Sequence, residues 1–340
     1  MTPRWDDVNA RARGLGTRLF TRAQLESLAR AGDPAALTDA CRRLGLPLAA
    51  EREAATSEEL ELAVRRWAAG ALRILARWAG PRVAALAVIY EEEDRKSLRA
   101  IVRGAIRGAP TEARIGGLVP TPALPERALE ELARQATPAA VAALLTAWRS
   151  PYGAPLAGPA AASHPDPFLL DLALDRTFAA RALSAAQRMG GDLSAYVRET
   201  VDLTNALTAL VLAVAGSDVV PKDAFLPGGE RISIAAFEEA AALGEPGAAG
   251  MRLSRALAPA AVAEPFRHLA TDLAGLEDQL LRARIHSVTW QTRRSPLGPA
   301  PVLWFALRLR AQVVDLQRII WSAALGVPRA AVSAALVTAS

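Results

Sequence analysis

Apolar residues along this chain recur at the spacing of an α-helix and do not alternate as in a strand. In residues 94–108 (DRKSLRAIVRGAIRG), Leu98, Val102 and Ile106 stand four apart, which places them on one helix face. Ala206, Leu210 and Val214 repeat the pattern within residues 202–216 (DLTNALTALVLAVAG), and Leu316, Ile320 and Ala324 repeat it within 312–326 (QVVDLQRIIWSAALG). Each stretch opens on a polar residue, carries Ser, Asn or Asp at its fourth position and closes on Gly. Glycine suits the left-handed conformation that stops a helix. From Asp94 to Asp202 to Gln312 the steps are 108 and 110 residues. The pattern predicts three buried helices ended at equivalent places.

A second element recurs at nearly the same period. Residues 25–36 (LESLARAGDPAA) match residues 129–140 (LEELARQATPAA) and, more distantly, 237–248 (FEEAAALGEPGA). Each predicts a helix, a short break and a proline that opens the next helix. Twice the first element is followed by the second after 35 residues, leaving a copy of the second at the N-terminus and a copy of the first at the C-terminus. A repeat cannot bury its apolar face alone, so the preferred arrangement brings the two chain ends together. Pairing each second element with the first element that follows it would instead give three complete units without closure. The expected architecture is all-α, with three similar units of about 110 residues closed into a pseudo-threefold funnel or ring. The expected division is 56–150, 151–255 and 256–340, with residues 1–55 completing the third unit. Proline- and glycine-rich connections are expected at 150–167 and 243–250, with equivalent loops at 116–120 and 225–229.

The chain's 340 residues are 51% hydrophobic but only 5% aromatic, and its abundant Ala and Leu form helices at little entropic cost. Net charge is +5, a mixed balance that points weakly to an acidic partner or anionic surface. Basic clusters interleaved with aromatics are missing, which argues against nucleic acid. Cys41 is the single cysteine; it excludes an internal disulfide, fits a reducing cytosol and reads as a small apolar helix residue. No signal peptide is expected at the start. The longest uncharged apolar stretch, 203–217, is shorter than a membrane span.

Chemical motifs fail in turn. Gly14 and Gly16 resemble the opening of a dinucleotide loop, but the third glycine is absent and a helix break explains them better. There is no phosphate-binding loop and no nucleophile elbow. His164, His268 and His286 lack zinc-helix spacing. The acidic run 91–94 precedes Arg95 and Lys96, predicting Glu91–Arg95 and Glu92–Lys96 pairs on a solvated helix start in place of a metal site. No catalytic residue, cofactor or metal is expected. One feature stands out: Arg95, Arg99, Arg103 and Arg107 form a basic stripe, whereas the equivalent positions are Leu203, Leu207, Val211 and Ala215, then Val313, Gln317, Trp321 and Leu325. Either one helix face is exposed and the other two are buried, or the stripe binds an asymmetric partner.

Residues 295–306 (SPLGPAPVLWFA) leading into 313–320 (VVDLQRII) resemble the Pro-Leu…Pro-Val-Leu segment and following helix of the C-type subunit of V/A-type (vacuolar/archaeal-type) ATPases, known as the d-type subunit in eukaryotes. Residues 9–19 (NARARGLGTRL) are similar to that family's opening, and 168–176 (FLLDLALDR) to its mid-chain helix. The resemblance spans roughly the whole chain. It implies a non-catalytic funnel in the central stalk, one copy per complex, cytoplasmic and peripheral to the membrane. Its implied partners are the central shaft and the membrane rotor ring, which it couples during ATP-linked ion transport. The family's basic helix positions survive as Arg99 and Arg103 in the first copy alone, so a diverged paralogue or a helical scaffold with another partner is the alternative.

Overall fold

The computed structural model describes residues 5–338, apart from 32–33, 44, 49–53, 190, 216–218, 270–272 and 274. Among the described residues every regular element is helical. The N-terminal helices are α1 (Asp6–Gly16), α2 (Arg22–Ala29) and α3 (Pro34–Arg43). Then come α4 (Ser57–Ala79), a 3-10 turn, α5 (Val83–Ile106), α6 (Thr111–Ile115), α7 (Glu126–Ala133), α8 (Pro138–Ala147) and α9 (Gly153–Ala160). The middle holds α10 (Pro167–Met189), α11 (Gly191–Ala215), α12 (Pro221–Ala224), α13 (Ile234–Ala241), α14 (Pro246–Leu257) and α15 (Ala263–Arg267). The chain ends with α16 (Leu276–Arg294), α17 (Ala300–Leu325) and α18 (Arg329–Ala335).

The two repeating elements take their expected forms. The first is the C-terminal part of α5, α11 and α17. Gly108 and Gly326 have φ of +64° and +68°, the left-handed stop that a side chain would strain; Gly216 lies outside the described residues. The second is the pair α2–α3, α7–α8 and α13–α14, and Pro34, Pro138 and Pro246 each open their helix, where a missing N–H costs nothing. Local chemistry starts these helices. Thr21 and Gln24 form a reciprocal cap at the head of α2, Thr56 and Glu59 do so at α4, and the Ser233 hydroxyl accepts from Ala236 N at α13.

The N-terminal copy is seated on the C-terminal one. Helix α2 packs on α17 and α18, as α7 packs on α5 and α6 and α13 on α11 and α12. The Gln312 amide holds Phe20 at both backbone groups, accepting from its N at 2.7 Å and donating to its O at 3.1 Å. Asn9 donates to Pro296 O and Gly298 O. The family-like segments 9–19 and 295–306 are therefore brought together.

Gln312 belongs to a set. Its repeat equivalents, Asp94 and Asp202, hold the corresponding loops ahead of α7 and α13. Asp202 accepts three backbone N–H groups, from Glu230, Arg231 and Ile232, at 3.0 Å each. Among the described residues Asp94 accepts the Thr121 hydroxyl, at 2.5 Å. Burial, reinforced by Glu91 and Glu93 and opposed by Thr121, pushes its carboxyl up to about 7. A carboxyl raised above its unfolded value contributes stability at low pH that is lost as pH rises through the folded pKa. Asp94→Asn should therefore gain melting temperature relative to wild type at pH 8, and the gain should shrink by pH 5. A constant difference across that range in thermal scans would rule out titration of Asp94.

Several expectations need correction. Residues 150–167 do not form a plain connection, because α9 lies within them with Leu156 and Ala160 buried. Its apolar face packs on α8 and α10, and that burial outweighs the prolines. Likewise α14 begins inside 243–250. Gly14 lies within α1, whereas Gly16 is its last residue, so the helix does end at the second glycine. A Cβ on Gly16 would sit 2.8 Å from the Trp304 ring, so glycine there permits close packing on α17. The apolar lines are buried except in the last turn, where Ile106 is half-buried and Val214 and Ala324 are exposed. Cys41 is buried as expected, and burial raises its thiol to about 12.

Two hydrophobic cores result. The larger joins the N-terminal helices, α4–α9 and much of α10, α16 and α17. The smaller centres on α11–α15, with Leu210, Phe237, Leu253 and Phe266 at its heart.

Candidate partner-binding cavity

Helices α5, α11 and α17 each line one cavity of about 400 Å³, with α16 contributing to the wall. Lys96, Thr204 and Val314 occupy equivalent repeat positions and all face it, as do Arg95, Leu203 and Val313. The three helices thus present the same register to a shared space with different chemistry on each side.

The basic stripe begins in the wall of this cavity. Helix α5 packs along α10, and Asp171 and Asp175 stand four apart on α10 just as the arginines do on α5. Arg95 Nη1 lies 2.7 Å from Asp175 Oδ1 and also donates to Thr204 Oγ1 at 3.4 Å. Its guanidinium covers the Phe178 ring at 4.5 Å. Arg99 reaches Asp175 at 2.6 Å and Asp171 at 3.3 Å, and Arg103 donates to Asp171. Arg95 is buried, Arg99 half-buried, and Arg103 and Arg107 are exposed. The stripe thus runs from an internal ion-pair ladder out to solvent.

The acidic run also differs from expectation. It is not a solvated helix start, because α5 begins at Val83 and turns residues 91–94 toward neighbouring helices. Lys96 pairs with Glu92 at 3.5 Å as expected, but Glu91 pairs with Arg181 on α10 and Arg95 with Asp175. Long-range partners displaced the local pair because helix packing removes Arg95 from water, where a charge needs an opposite one.

A second ionic cluster lies in the wall where α16 meets α5 and α11. Arg284 of α16 donates to Glu92 Oε1 at 3.0 Å and to Thr200 Oγ1 at 2.8 Å, and lies 3.6 Å from Glu199. It stacks over Tyr196 at 4.6 Å, and the Tyr196 hydroxyl donates to Glu92 Oε2 at 2.7 Å. Burial opposes ionisation of Glu92, but Arg284, Lys96 and the Tyr196 hydroxyl outweigh it and hold the carboxyl below its usual range. Glu93 is similarly depressed against burial by Arg310 and Lys96. Nothing in the local sequence marks Arg284. The four-residue spacing of Asp171 and Asp175, matching the arginines, was a readable signal for the other cluster.

Among the described residues no group of His, Cys, Asp or Glu could hold a metal ion. His268 reaches only Glu264, at 3.4 Å. No helix there is long and apolar enough to cross a membrane. What the geometry offers is a charged socket lined by α5, α11, α16 and α17.

The sequence profile of the ATP synthase (C/AC39) subunit matches residues 8–334, nearly the full length and both segments that meet at the chain ends. The chain belongs to the ATP synthase (C/AC39) subunit family. A comparison with curated proteins found no match. Membership in the C/AC39 family makes the chain a subunit of a rotary V/A-type ATPase complex. Within this C/AC39 family member, the three helices that carry the first repeating element all line the cavity, together with α16.

Proposed function

We propose that this subunit is the non-catalytic central-stalk adapter of the complex, a pseudo-threefold funnel coupling the rotating shaft to the membrane rotor ring and thereby supporting ATP-linked ion transport. The observation that carries the reading is the cavity framed by α5, α11 and α17 in common register. Residues 56–150, 151–255 and 256–340 form its three units, and 1–55 complete the third. The adapter works in the cytoplasm, peripheral to the membrane, as one copy per complex, and requires no cofactor. Its partner-facing residues are Arg103 and Arg107, with Arg95 and Arg99 aligning them through α10.

Torque transfer asks for a stiff body that grips both partners, and buried ion pairs between long helices supply that stiffness. Titrating the purified subunit with the shaft subunits, and separately with detergent-solubilised rotor ring, tests the reading. Both should bind, and binding should weaken with salt because exposed charges are screened over about 8–10 Å. Each exposed charge pair contributes only about 0.2–1 kcal/mol, so Arg103→Glu/Arg107→Glu should weaken shaft binding several-fold while circular dichroism stays unchanged. Absence of binding to either partner would favour a helical scaffold of another assembly.

A further inference from the structure

Helix α1 lies outside the repeated elements and packs on α4 and α17, with Val8, Asn9, Ala12 and Gly16 turned inward. Its outward face is flat, because Ala10, Gly14 and Thr17 share the exposed side at helical spacing and none has a long side chain. An arginine stands on either edge of that face. Arg11 lies over the Trp78 ring of α4 at 3.9 Å, and Arg13 donates to Pro296 O at 3.3 Å. Asn9 holds the same loop at Pro296 O and Gly298 O, so Leu297 is fixed beside α1. Trp78 is 44% exposed and Leu297 is 68% exposed. Single exposed apolar residues are ordinary, but each of these two stands beside an exposed arginine.

The charge on this face is one-sided. Helix α16 ends in Arg293 and Arg294 immediately before the loop, and both are exposed, as are Arg11 and Arg13. The acids of α1 stand at its other end, Asp6 and Asp7 in the first turn, and Arg82 lies 2.5 Å from Asp7. Against the four arginines the loop sets Asp192, whose carboxylate would be 2.8 Å from a Cβ on Gly298. Two apolar side chains held apart across a flat ridge, with cations beside each, fit a planar partner; a protein would need a separate hollow for each. A phospholipid surface is planar, anionic headgroups attract surface arginines, and the boundary beneath them is where tryptophan and leucine side chains settle.

We propose that the face formed by α1, the end of α4 and the loop 295–298 docks on an anionic phospholipid surface. Arg11, Arg13, Arg293 and Arg294 meet the headgroups, and Trp78 and Leu297 enter the boundary between headgroups and acyl chains. The proposal goes beyond the coupling reading and does not depend on it, since the partner is lipid and the face lies apart from the cavity. Docking of this kind adds a second hold on the membrane side that needs no other subunit.

Co-sedimentation of the full chain with vesicles tests it, comparing phosphatidylcholine alone with phosphatidylcholine containing one third phosphatidylglycerol. Wild type should bind the anionic vesicles and not the neutral ones. Arg11→Glu/Arg13→Glu should bind at least about tenfold more weakly, since each arginine at an anionic surface is worth about fivefold. Trp78→Ser/Leu297→Ser should lose about fivefold or more through lost apolar burial. All these positions are exposed, and circular dichroism checks that folding is retained. Absence of binding to the anionic vesicles, or equal binding to the neutral ones, overturns the proposal. So does an equal loss in Arg103→Glu/Arg107→Glu, which would mean that net charge attracts the chain without regard to face. An unchanged serine variant overturns the entry of Trp78 and Leu297. If no vesicle is bound but Arg11→Glu/Arg13→Glu weakens binding to detergent-solubilised ring, the face is a protein contact and the lipid docking falls. Neither shaft nor ring is present with the vesicles, so failure there leaves the coupling reading standing.

Discussion

Arg284→Ala is expected to destabilise the subunit by about 3–5 kcal/mol, the cost of removing one partner from a buried ion pair. Arg284 ties three helices together: it sits on α16, donates to Glu92 on α5 and Thr200 on α11, and stacks on Tyr196. Without it Glu92 stays buried, with Lys96 and the Tyr196 hydroxyl as its remaining partners. Adding Glu92→Gln to the variant should recover part of the loss, since the uncompensated charge disappears. Acid should also narrow the gap between wild type and Arg284→Ala. A carboxyl held below its usual value gives stability that is present above the unfolded pKa of 4.5 and lost as pH falls through the folded one. Urea denaturation at pH 7 and pH 4 measures both effects. A loss under 1 kcal/mol at pH 7 would mean that the seam between α16 and α11 contributes little.

Leu316→Ala and Leu210→Ala should each cost about 2–5 kcal/mol, because both side chains are buried and each truncation leaves a cavity. The residues are repeat equivalents on α17 and α11, yet they lie in different hydrophobic cores. Their costs should therefore add to within about 0.5 kcal/mol in the double variant, as they do for sites without shared partners. Equilibrium denaturation of the two single variants and the double gives the answer. A strongly non-additive result would mean that the two sites are energetically coupled across the two cores. Negligible loss at both would contradict the burial on which the repeat alignment rests.

What the sequence by itself determined is the helices of the two repeating elements and their order along the chain. Local physics sufficed: apolar residues four apart, glycine at the two described helix stops, and proline opening α3, α8 and α14 each carry their information within a few residues. The unpaired repeat elements at the two ends also predicted that they would meet, and Gln312 on Phe20 is how they do. Only the tertiary structure decided which charges pair. Glu91 and Arg95 sit one helical turn apart, but packing α10 against α5 gave them Arg181 and Asp175 instead. A local ion pair in water is worth a few tenths of a kcal/mol, too little to hold against partners brought together by burying whole helix faces. Arg284 shows the same limit more sharply, since a lone arginine among 40 basic residues becomes a buried tie only when α5, α11 and α16 converge on it. The stripe shows it once more. Its spacing was legible, but whether Arg95 or Arg107 meets solvent depends on how far α10 extends along α5.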